Sequence, residues 1–441
     1  MEQRRKNLTQ LFIPICLETL LYMLSGMVDT LMLSSVNDQA VGAVGTANTY
    51  IGIFIIMFSV ISSGMVAVMT QNIGAGRPGV AYQARQLGLA FNAVLGIILS
   101  LILAFGAGTI LAGVGVADAL MQPAKTYLQI VGGFCILNAL IPICSSYLRA
   151  FGFSKEPLYA SIIGNVINFC LNAFFLFVLH KGVAGVATAT VISRIINLVI
   201  VVLLGAVLVK AKKHPERESN REVMGQIIRI GFPSACETAI YNVSMTLVIR
   251  FLNQMDAQGL NVTARSYTMQ ITNFSYCVGA ALAQANAIMT GWHIGAKEYD
   301  ACDRGTKKAA VIGVIVAVIL ETVFTLCSGW IMQLFSKDPQ MVSLVGKLLA
   351  IDIVLEIGRV TNLVYGQALK TSGDAVFPVV MGACFMILCS VGGTYLFGIR
   401  LGLLAVGAYI GMAGDECVRA IGMYLRWKSG KWKQKGLVKS R

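Results

Sequence analysis

Lys210-Ala-Lys-Lys-His-Pro-Glu-Arg-Glu-Ser-Asn-Arg-Glu-Val-Met-Gly-Gln-Ile-Ile-Arg229 is the longest polar interruption in a chain of 441 residues, and it bisects that chain. The sequence before it recurs after it. Pro14, Glu18, Thr19, Tyr22 and Ser25 are matched by Pro233, Glu237, Thr238, Tyr241 and Ser244 at an offset of 219. Ile73-Gly74-Ala75 is matched by Ile294-Gly295-Ala296 at an offset of 221. Leu148-Arg149 with Gly152 and Pro157 is matched, again at 221, by Leu369-Lys370 with Gly373 and Pro378. Three matches in order, drifting by two residues, describe a duplicated unit. The chain therefore reads as a first lobe over 1–209, a cytoplasmic linker over 210–229 and a second lobe over 230–441 that ends in a basic tail.

Composition says what each lobe is made of. Hydrophobic residues make up 56% of the chain, charged residues 13%, and the mean hydropathy is +0.73. Soluble domains are about 25% charged, and a chain this apolar has more hydrophobic surface than a globular interior can hide. The surplus faces lipid. Runs of about 20 apolar residues, the length that crosses a bilayer, number twelve. They fall near 9–33, 42–70, 87–111, 126–149, 158–180, 183–209, 230–254, 261–290, 305–333, 344–368, 376–398 and 402–426. No period-2 alternation of the kind a membrane barrel needs is sustained, so the fold class is all-α, six spanning helices per repeat. Basic residues orient the bundle: 25 lie at the amino terminus, in the even-numbered loops and in the tail, against five (Lys125, Lys181, Lys337, Lys347 and Arg400) in the odd-numbered loops. That places both termini in the cytoplasm and explains the net charge of +14 by topology rather than by a nucleic-acid partner. Six spans per half make the repeats parallel, related by an axis along the membrane normal. In transporters built this way the substrate path lies at the repeat interface.

Motif absences exclude other classes. No GxxxxGK[ST] phosphate loop, HExxH or GxSxG string is present, so neither an ATPase nor a hydrolase is indicated. The eleven Cys and three His show no CxxC spacing and sit mostly in apolar runs, which reads as packing rather than metal binding or disulfides. No resident cofactor is expected. An ion gradient remains as the energy source, and it needs an ionisable group inside the membrane. Asp29, in the outer half of the first span, is the best such group. Asn165, Asn168 and Asn172 fall on one face of span five by their spacings of three and four, and Thr190 in span six adds a hydroxyl. A carboxylate beside amide and hydroxyl oxygens can hold H⁺ or Na⁺.

In the second half, Asp352, Glu356 and Arg359 share a face of span ten, and Asp415 and Arg419 share one in span twelve beside Glu416. These read as structural ion pairs, with one of the acids as a partner for Arg194 of span six. Glu18 and Glu237, each four residues after a proline near the cytoplasmic end of its span, are expected to reach water. Glu321 has no assignment.

These residues resemble the multidrug and toxic compound extrusion (MATE) transporters over nearly the whole chain. Pro14, Glu18 and Val28-Asp29-Thr30 look like the family's first-span signature, and Gln71-Asn72-Ile73-Gly74-Ala75-Gly76-Arg77 is similar to its Gly-Ala-Gly-Arg turn. Leu148-Arg149-Ala150-Phe151-Gly152 with Pro157, Asn168-Phe-Cys-Leu-Asn172, Gly182-Val-Ala-Gly185 and Ala189-Thr190 are also family-like. Gly358-Arg359-Val-Thr-Asn362, Ser372-Gly373-Asp374, Asp415-Glu416 with Arg419, and Arg426-Trp427 resemble a bacterial subgroup. The resemblance implies a V-shaped cavity between two six-helix lobes. It also implies export of amphipathic, often cationic drugs in exchange for H⁺ or Na⁺ by a monomer in the bacterial inner membrane. Asp29, Asn168, Asn172 and Thr190 map onto the family's N-lobe cation site, and Tyr50, Phe54, Phe58, Phe274 and Tyr276 lie on the spans that line its cavity. Two departures stand out. Asn172 occupies a position where some members carry a second acid. Arg359 stands where others carry a span-ten acid, and Glu237 lies too near the cytoplasmic end to replace it, so coupling through the first lobe is expected. The alternative function is a flippase for a lipid-linked or other large amphiphile, which would want a strongly basic cavity. An enzyme is not expected.

Overall fold

The computed structural model describes residues 6–35, 38–113, 116–209, 215–256, 259–333 and 336–438. Helices account for every long element, and no strand occurs among the described residues. In the first half, α1 is Leu8–Ser34, α2 Asp38–Gly74 and α3 Pro78–Gly113. The fourth span is a broken one. α4, Asp118–Tyr127, passes through a π-helical turn at Leu128–Gly132 into α5, Ile136–Ala150, and the two pieces are bent by 43°. α6, Lys155–Ala173, continues as a π-helix over Phe174–Val178, and α7 is Gly182–Leu208.

The second half holds α8, Asn220–Met255; α9, Leu260–Gly295; α10, Tyr299–Leu326; the short α11, Ser328–Gln333; and α12, Pro339–Ser372. α13, Val376–Phe385, runs on through π-helical stretches at Met386–Val391 and Thr394–Arg400, and α14 is Leu404–Lys428. Twelve long helical segments thus stand where twelve apolar runs were read. Their ends extend past the runs because the helices continue beyond the apolar stretch into polar turns, as α3 does from Pro78 and α8 from Asn220.

Seven of these segments are long and apolar enough to cross a membrane, eight with the bent α4–α5 pair. Every span of the first half is among them. In the second half α8, α9, α12 and α14 are not, and the reason is chemical. These four carry the polar and charged side chains that line a cavity, described below. Charges that must stay buried lower the mean hydropathy of a span without removing it from the bundle.

Two compact units divide the chain, Met1–Gly231 and Phe232–Arg441. The stretch read as a linker, 210–229, is helical from Asn220 onward. Its entry is held to the start of α3: Gln83 Nε2 donates to the Glu218 carbonyl at 2.7 Å and to Asn220 Oδ1 at 2.6 Å, and Arg77 pairs with Glu218. Within the first unit α2 packs on α3, α6 on α7 and α1 on α6. Within the second, α12 is the hub, packed against α9, α10 and α14. Each unit buries its own apolar core, one around Phe58, Leu103, Leu111 and Leu128, the other around Leu252, Leu348, Leu349 and Met332. Large side chains such as Phe105, Val207, Leu326 and Trp330 stay exposed on the outside, as a lipid-facing surface requires.

The repeat is visible in the hydrogen bonding at the helix ends. Arg77 N–H donates to the Asn72 carbonyl and Gly76 N–H to Ile73; Glu298 and Lys297 repeat both bonds, to His293 and Ile294. Glu18 and Glu237, expected to reach water, are 17% and 16% exposed, and each also meets a base. Glu18 pairs with Arg149 at 2.6 Å and Glu237 with Lys370 at 2.6 Å. The partners are themselves repeat-matched, so each half closes its first span onto its fourth in the same way.

Candidate functional site

Two polar clusters stand inside the apolar bundle, one per unit. In the first, Asp29 comes from α1 and the amides from α6, which pack together. Asn172 Nδ2 donates to Asp29 Oδ1 at 2.6 Å and also lies 3.3 Å from Asn168 Oδ1. The helical spacing of the amides therefore does what the sequence implied for two of them. Asn165 lies nearer the start of α6, where its amide contacts the Leu21 carbonyl at 3.5 Å. Thr190 is buried, but its hydroxyl donates to the Val186 carbonyl of its own helix at 2.9 Å. That back-bond is the default for threonine in a helix, and it leaves the oxygen lone pairs as the part of Thr190 still available.

Asn172 Oδ1 is buried without a hydrogen-bond partner among the described residues, an unused acceptor beside a carboxylate. Arg194 of α7 acts electrostatically on Asp29, and on Tyr127 at the end of α4. Within its own unit, Arg194 thus acts on an acid that the sequence reading had not paired with it. Tyr127, which also bonds Asn48, was missed; a single tyrosine at the edge of an apolar run carries no signal of its own.

The aromatic residues expected in a cavity separate. Phe58 is 2% exposed in the first unit's apolar core, with Tyr50 and Phe54 packed against that core. Phe274 is half-buried on α9. Tyr276 lines a cavity of the second unit, and the Arg359 guanidinium stands 5.9 Å from its ring centroid.

That cavity has a volume of about 410 Å³, within the range that holds a small organic ligand. Four methionines (Met245, Met269, Met386 and Met412) and three tyrosines (Tyr241, Tyr276 and Tyr409) supply its apolar wall. Methionine wall residues adapt to ligands of differing shape. Charges are built into the wall as linked pairs. Arg419 bonds Asp415 Oδ1 through Nε at 2.8 Å and Glu416 Oε1 through Nη2 at 2.8 Å. Arg359 pairs with Glu356 one turn away and lies 3.9 Å from Glu416. Asn362 donates to Glu416 Oε2 at 3.0 Å and Ser390 to Asp415 Oδ2 at 2.9 Å. α12 and α14 come close enough for this because Gly358 has no side chain. A Cβ there would stand 2.7 Å from the Cys417 nitrogen.

Asp352 of α12, on this wall, meets Glu356 of the same helix and Glu321 of α10. One oxygen from each lies within 4.8 Å of the others, and all three side chains are buried. Asp352 Oδ2 and Glu356 Oε2 have no hydrogen-bond partner among the described residues, and Glu321 faces the Ser275 hydroxyl. With Asp415 and Glu416 this region holds five buried carboxylates, and the guanidiniums of Arg359 and Arg419 bond three of them, Glu356, Asp415 and Glu416. Like charges this close destabilise one another, and an all-oxygen donor set suits a proton or a hard cation such as Na⁺. The residues present fit such an ion. Sequence spacing could place Asp352 and Glu356 together, but not Glu321, whose partners are more than thirty positions away.

Fold and site define the class: a two-repeat, multi-pass helical membrane protein with buried carboxylates and an organic-sized cavity, which is the build of a transporter. The comparisons give the family. Its MatE pattern matches residues 14–174 and 233–396, one stretch per repeat. The uncharacterized transporter YisQ of Bacillus subtilis is 35% identical over 96% of this chain and 94% of its own length. A probable multidrug resistance protein NorM of Thermotoga maritima is 24% identical over 98% and 94%. The chain belongs to the MATE family of multidrug efflux transporters. Among solved structures, an outward-facing multidrug resistance MATE transporter superimposes with a TM-score of 0.86 over 98% of this chain and 96% of the other, at 18% identity. A MATE structure in the bent conformation gives 0.88 over 97% of this chain and 96% of the other, also at 18%. Those two likenesses bear on the fold.

Proposed function

We propose that this protein exports amphipathic organic molecules bearing a cationic group, in exchange for H⁺ or Na⁺, by alternating access. It acts as a monomer in the bacterial inner membrane with both termini cytoplasmic. The observation that carries the coupling is the 2.6 Å bond between Asn172 and Asp29 inside an apolar bundle. A half-buried carboxylate there has an amide to orient it, a neighbouring unpaired amide oxygen and a nearby guanidinium. Taking up an ion changes the charge of that cluster by one unit, and the charge state in turn biases which conformation is stable. The Glu321, Asp352 and Glu356 group offers a second ion-binding position. The methionine- and tyrosine-lined cavity, with Glu237, Asp352 and Glu416 on its wall, suits cationic amphiphiles of varied shape. The lipid-linked flippase reading gains no support from it, because Glu237, Asp352 and Glu416 stand among the wall's basic residues and keep it from being strongly basic.

The test is ethidium efflux from loaded proteoliposomes under an imposed pH or Na⁺ gradient, wild type beside Asp29→Asn. Wild type empties the vesicles under one of the two gradients. The variant, which keeps the shape but not the charge, falls by about tenfold or more, the loss expected when a step loses ~1.4 kcal/mol of coupling. Equal efflux from both proteins would remove Asp29 from the coupling path.

A further inference from the structure

The chain after α14 folds back onto the second unit. Trp432 stacks on Trp427 with ring centroids 4.1 Å apart, donates its Nε1–H to the Trp427 carbonyl at 2.9 Å, and meets the Tyr299 ring edge-on at 5.9 Å. Trp427 in turn donates to Asp303 Oδ1 near the start of α10 at 2.9 Å, and Arg426 pairs with Asp374, just past α12, at 2.7 Å. Leu437 is buried, and a Cβ at Gly373 would strike the Lys435 carbonyl. The segment 431–437 is thus pinned against α10, α12 and α14. What it displays is charge. Lys428, Lys431, Lys433 and Lys435 are exposed, and none bonds a carboxylate among the described residues. No acid follows Glu416 in the sequence.

Two helices beside this segment change from apolar to basic along one exposed face. On α14, Ile421 and Leu425 are 60% and 56% exposed, and the exposed Lys428 follows three residues on. On α10 the order is reversed: the exposed Arg304 and Lys308 precede Val311 and Ile315, which are 58% and 54% exposed. Spacings of three and four keep each set on one face. An apolar face that ends in cations matches the acyl chains and the headgroup of a single lipid layer. Topology does not require this arrangement. It asks for a number of basic residues on one side, not for their fixation, and the matched positions of the first repeat, Gln83 and Leu87, are uncharged.

We propose that the end of the second unit formed by α10, α14 and the segment 431–437 is a docking surface for anionic phospholipid headgroups. The proposal needs only a chain that spans a membrane, and it stands whether or not the protein is an antiporter. A phosphatidylglycerol headgroup brings a net negative charge to the lysines, whereas phosphatidylcholine carries a compensating cation and gains little. Pinning the segment in advance spares the ordering entropy that a loose tail would lose on binding, so the Trp427–Trp432 stack serves the lipid surface as well as the fold.

The experiment measures the association of spin-labelled phosphatidylglycerol and spin-labelled phosphatidylcholine with the full-length protein in proteoliposomes, by electron paramagnetic resonance. Wild type should favour phosphatidylglycerol by about threefold, and raised salt should reduce that ratio. Replacing Lys428, Lys431, Lys433 and Lys435 together with Gln should remove more than half of the preference. Replacing Lys155, Arg217, Arg221 and Arg229, exposed bases of the first unit, removes as many charges and should leave most of it. Trp432→Leu keeps every charge but frees the segment, and should lose about half of the preference. A wild type without preference overturns the proposal. So do equal losses in the two fourfold variants, which would mean that total charge alone is read, and a Trp432→Leu protein that matches wild type. The four lysines are exposed, so their variant decides the matter even if Trp432→Leu does not fold. Inorganic phosphate, compared with chloride at equal ionic strength, should not displace the lipid; specific displacement would assign the surface to a soluble phosphate and refute the proposal. No gradient is applied, so failure of ion-coupled efflux and failure of this proposal are separate results.

Discussion

Ser100 and Glu321 stand 221 residues apart at matched positions of the two repeats, and their surroundings have nothing in common. In the first unit the fourth span breaks at Leu128–Gly132, and the Ile136 N–H freed by the break donates to Ser100 Oγ at 3.1 Å. In the second unit α12 runs unbroken from Pro339 to Ser372. No backbone donor is released there, and the matched residue is Glu321, buried against two carboxylates. The residues that meet it have changed with it: Val131, Cys135 and Asn138 of the first repeat correspond to Asp352, Glu356 and Arg359. The exchange also runs the other way. Asp29 corresponds to Val248, and Arg194 to Asp415. The duplicated backbone has therefore kept its plan while the buried polar positions were reassigned, to backbone repair in one half and to stored charge in the other.

The largest expected effect tests that division directly. Ser100→Ala should lower stability by about 1–3 kcal/mol, the range for a buried donor left unpaired, with the ion dependence of efflux unchanged. Glu321→Gln should do the reverse. Removing one of several crowded negative charges should raise the melting temperature, while gradient-driven efflux falls by about tenfold. Melting in detergent and efflux from proteoliposomes, read on both variants, give opposite signatures if the two positions have diverged. The same signature from both would mean that Glu321 is only packing.

A smaller effect tests what the repeats share. Glu18 with Arg149, and Glu237 with Lys370, close equivalent helix ends at the same 2.6 Å. Double-mutant cycles with Gln at the acids and Met at the bases should give coupling energies of about 1 kcal/mol in each unit, equal within error. The side chains are 11–17% exposed, so solvent screens both pairs to a similar degree. Unequal couplings would show that one pair has been given a further task, such as contact with cargo at the cavity edge, where Glu237 and Lys370 both lie.

The contrast also explains what could be read from the chain. Span number, order and duplication were legible because hydropathy and local turn chemistry leave their marks within windows of about 20 residues. Asp29 with Asn168 and Asn172 was legible because a lone acid in an apolar run is costly and three amides share one helical face. Glu321 was visible as an acid but not as part of a cluster, since its neighbours come from another helix. Arg265, on the wall of the second unit's cavity, gave no signal because the first half of α9 is dotted with polar side chains (Asn261, Thr263, Ser266, Thr268 and Gln270), so one more did not stand out. Phe58 was misleading for a related reason: aromatic residues at helical spacing fit a core and a cavity wall equally well, and packing inside the first unit's core decides it for Phe58.

The smallest expected effect concerns a position where the backbone was kept and the residue was not. The turn after α2 has Gly76 at φ +74°, and the matched turn after α9 has Lys297 at φ +61°. Both make the same pair of bonds back into the helix, at 2.8 and 3.0 Å. A residue with a Cβ pays roughly 1–2 kcal/mol for that left-handed conformation, whereas glycine adopts it freely but loses more entropy on folding, about 0.5–1 kcal/mol. Lys297→Gly should thus stabilise the protein slightly, by about 0.5 kcal/mol, and Gly76→Lys should destabilise it by a similar amount. Nothing lies within 4 Å of a Cβ built at Gly76, so the change there is conformational and not a clash. Melting temperatures of the two variants should move in opposite directions with efflux intact. If Lys297→Gly instead lowers the melting temperature, the lysine side chain is supplying an interaction that outweighs the strain, and the second repeat will have gained a contact at this turn that the first repeat lacks.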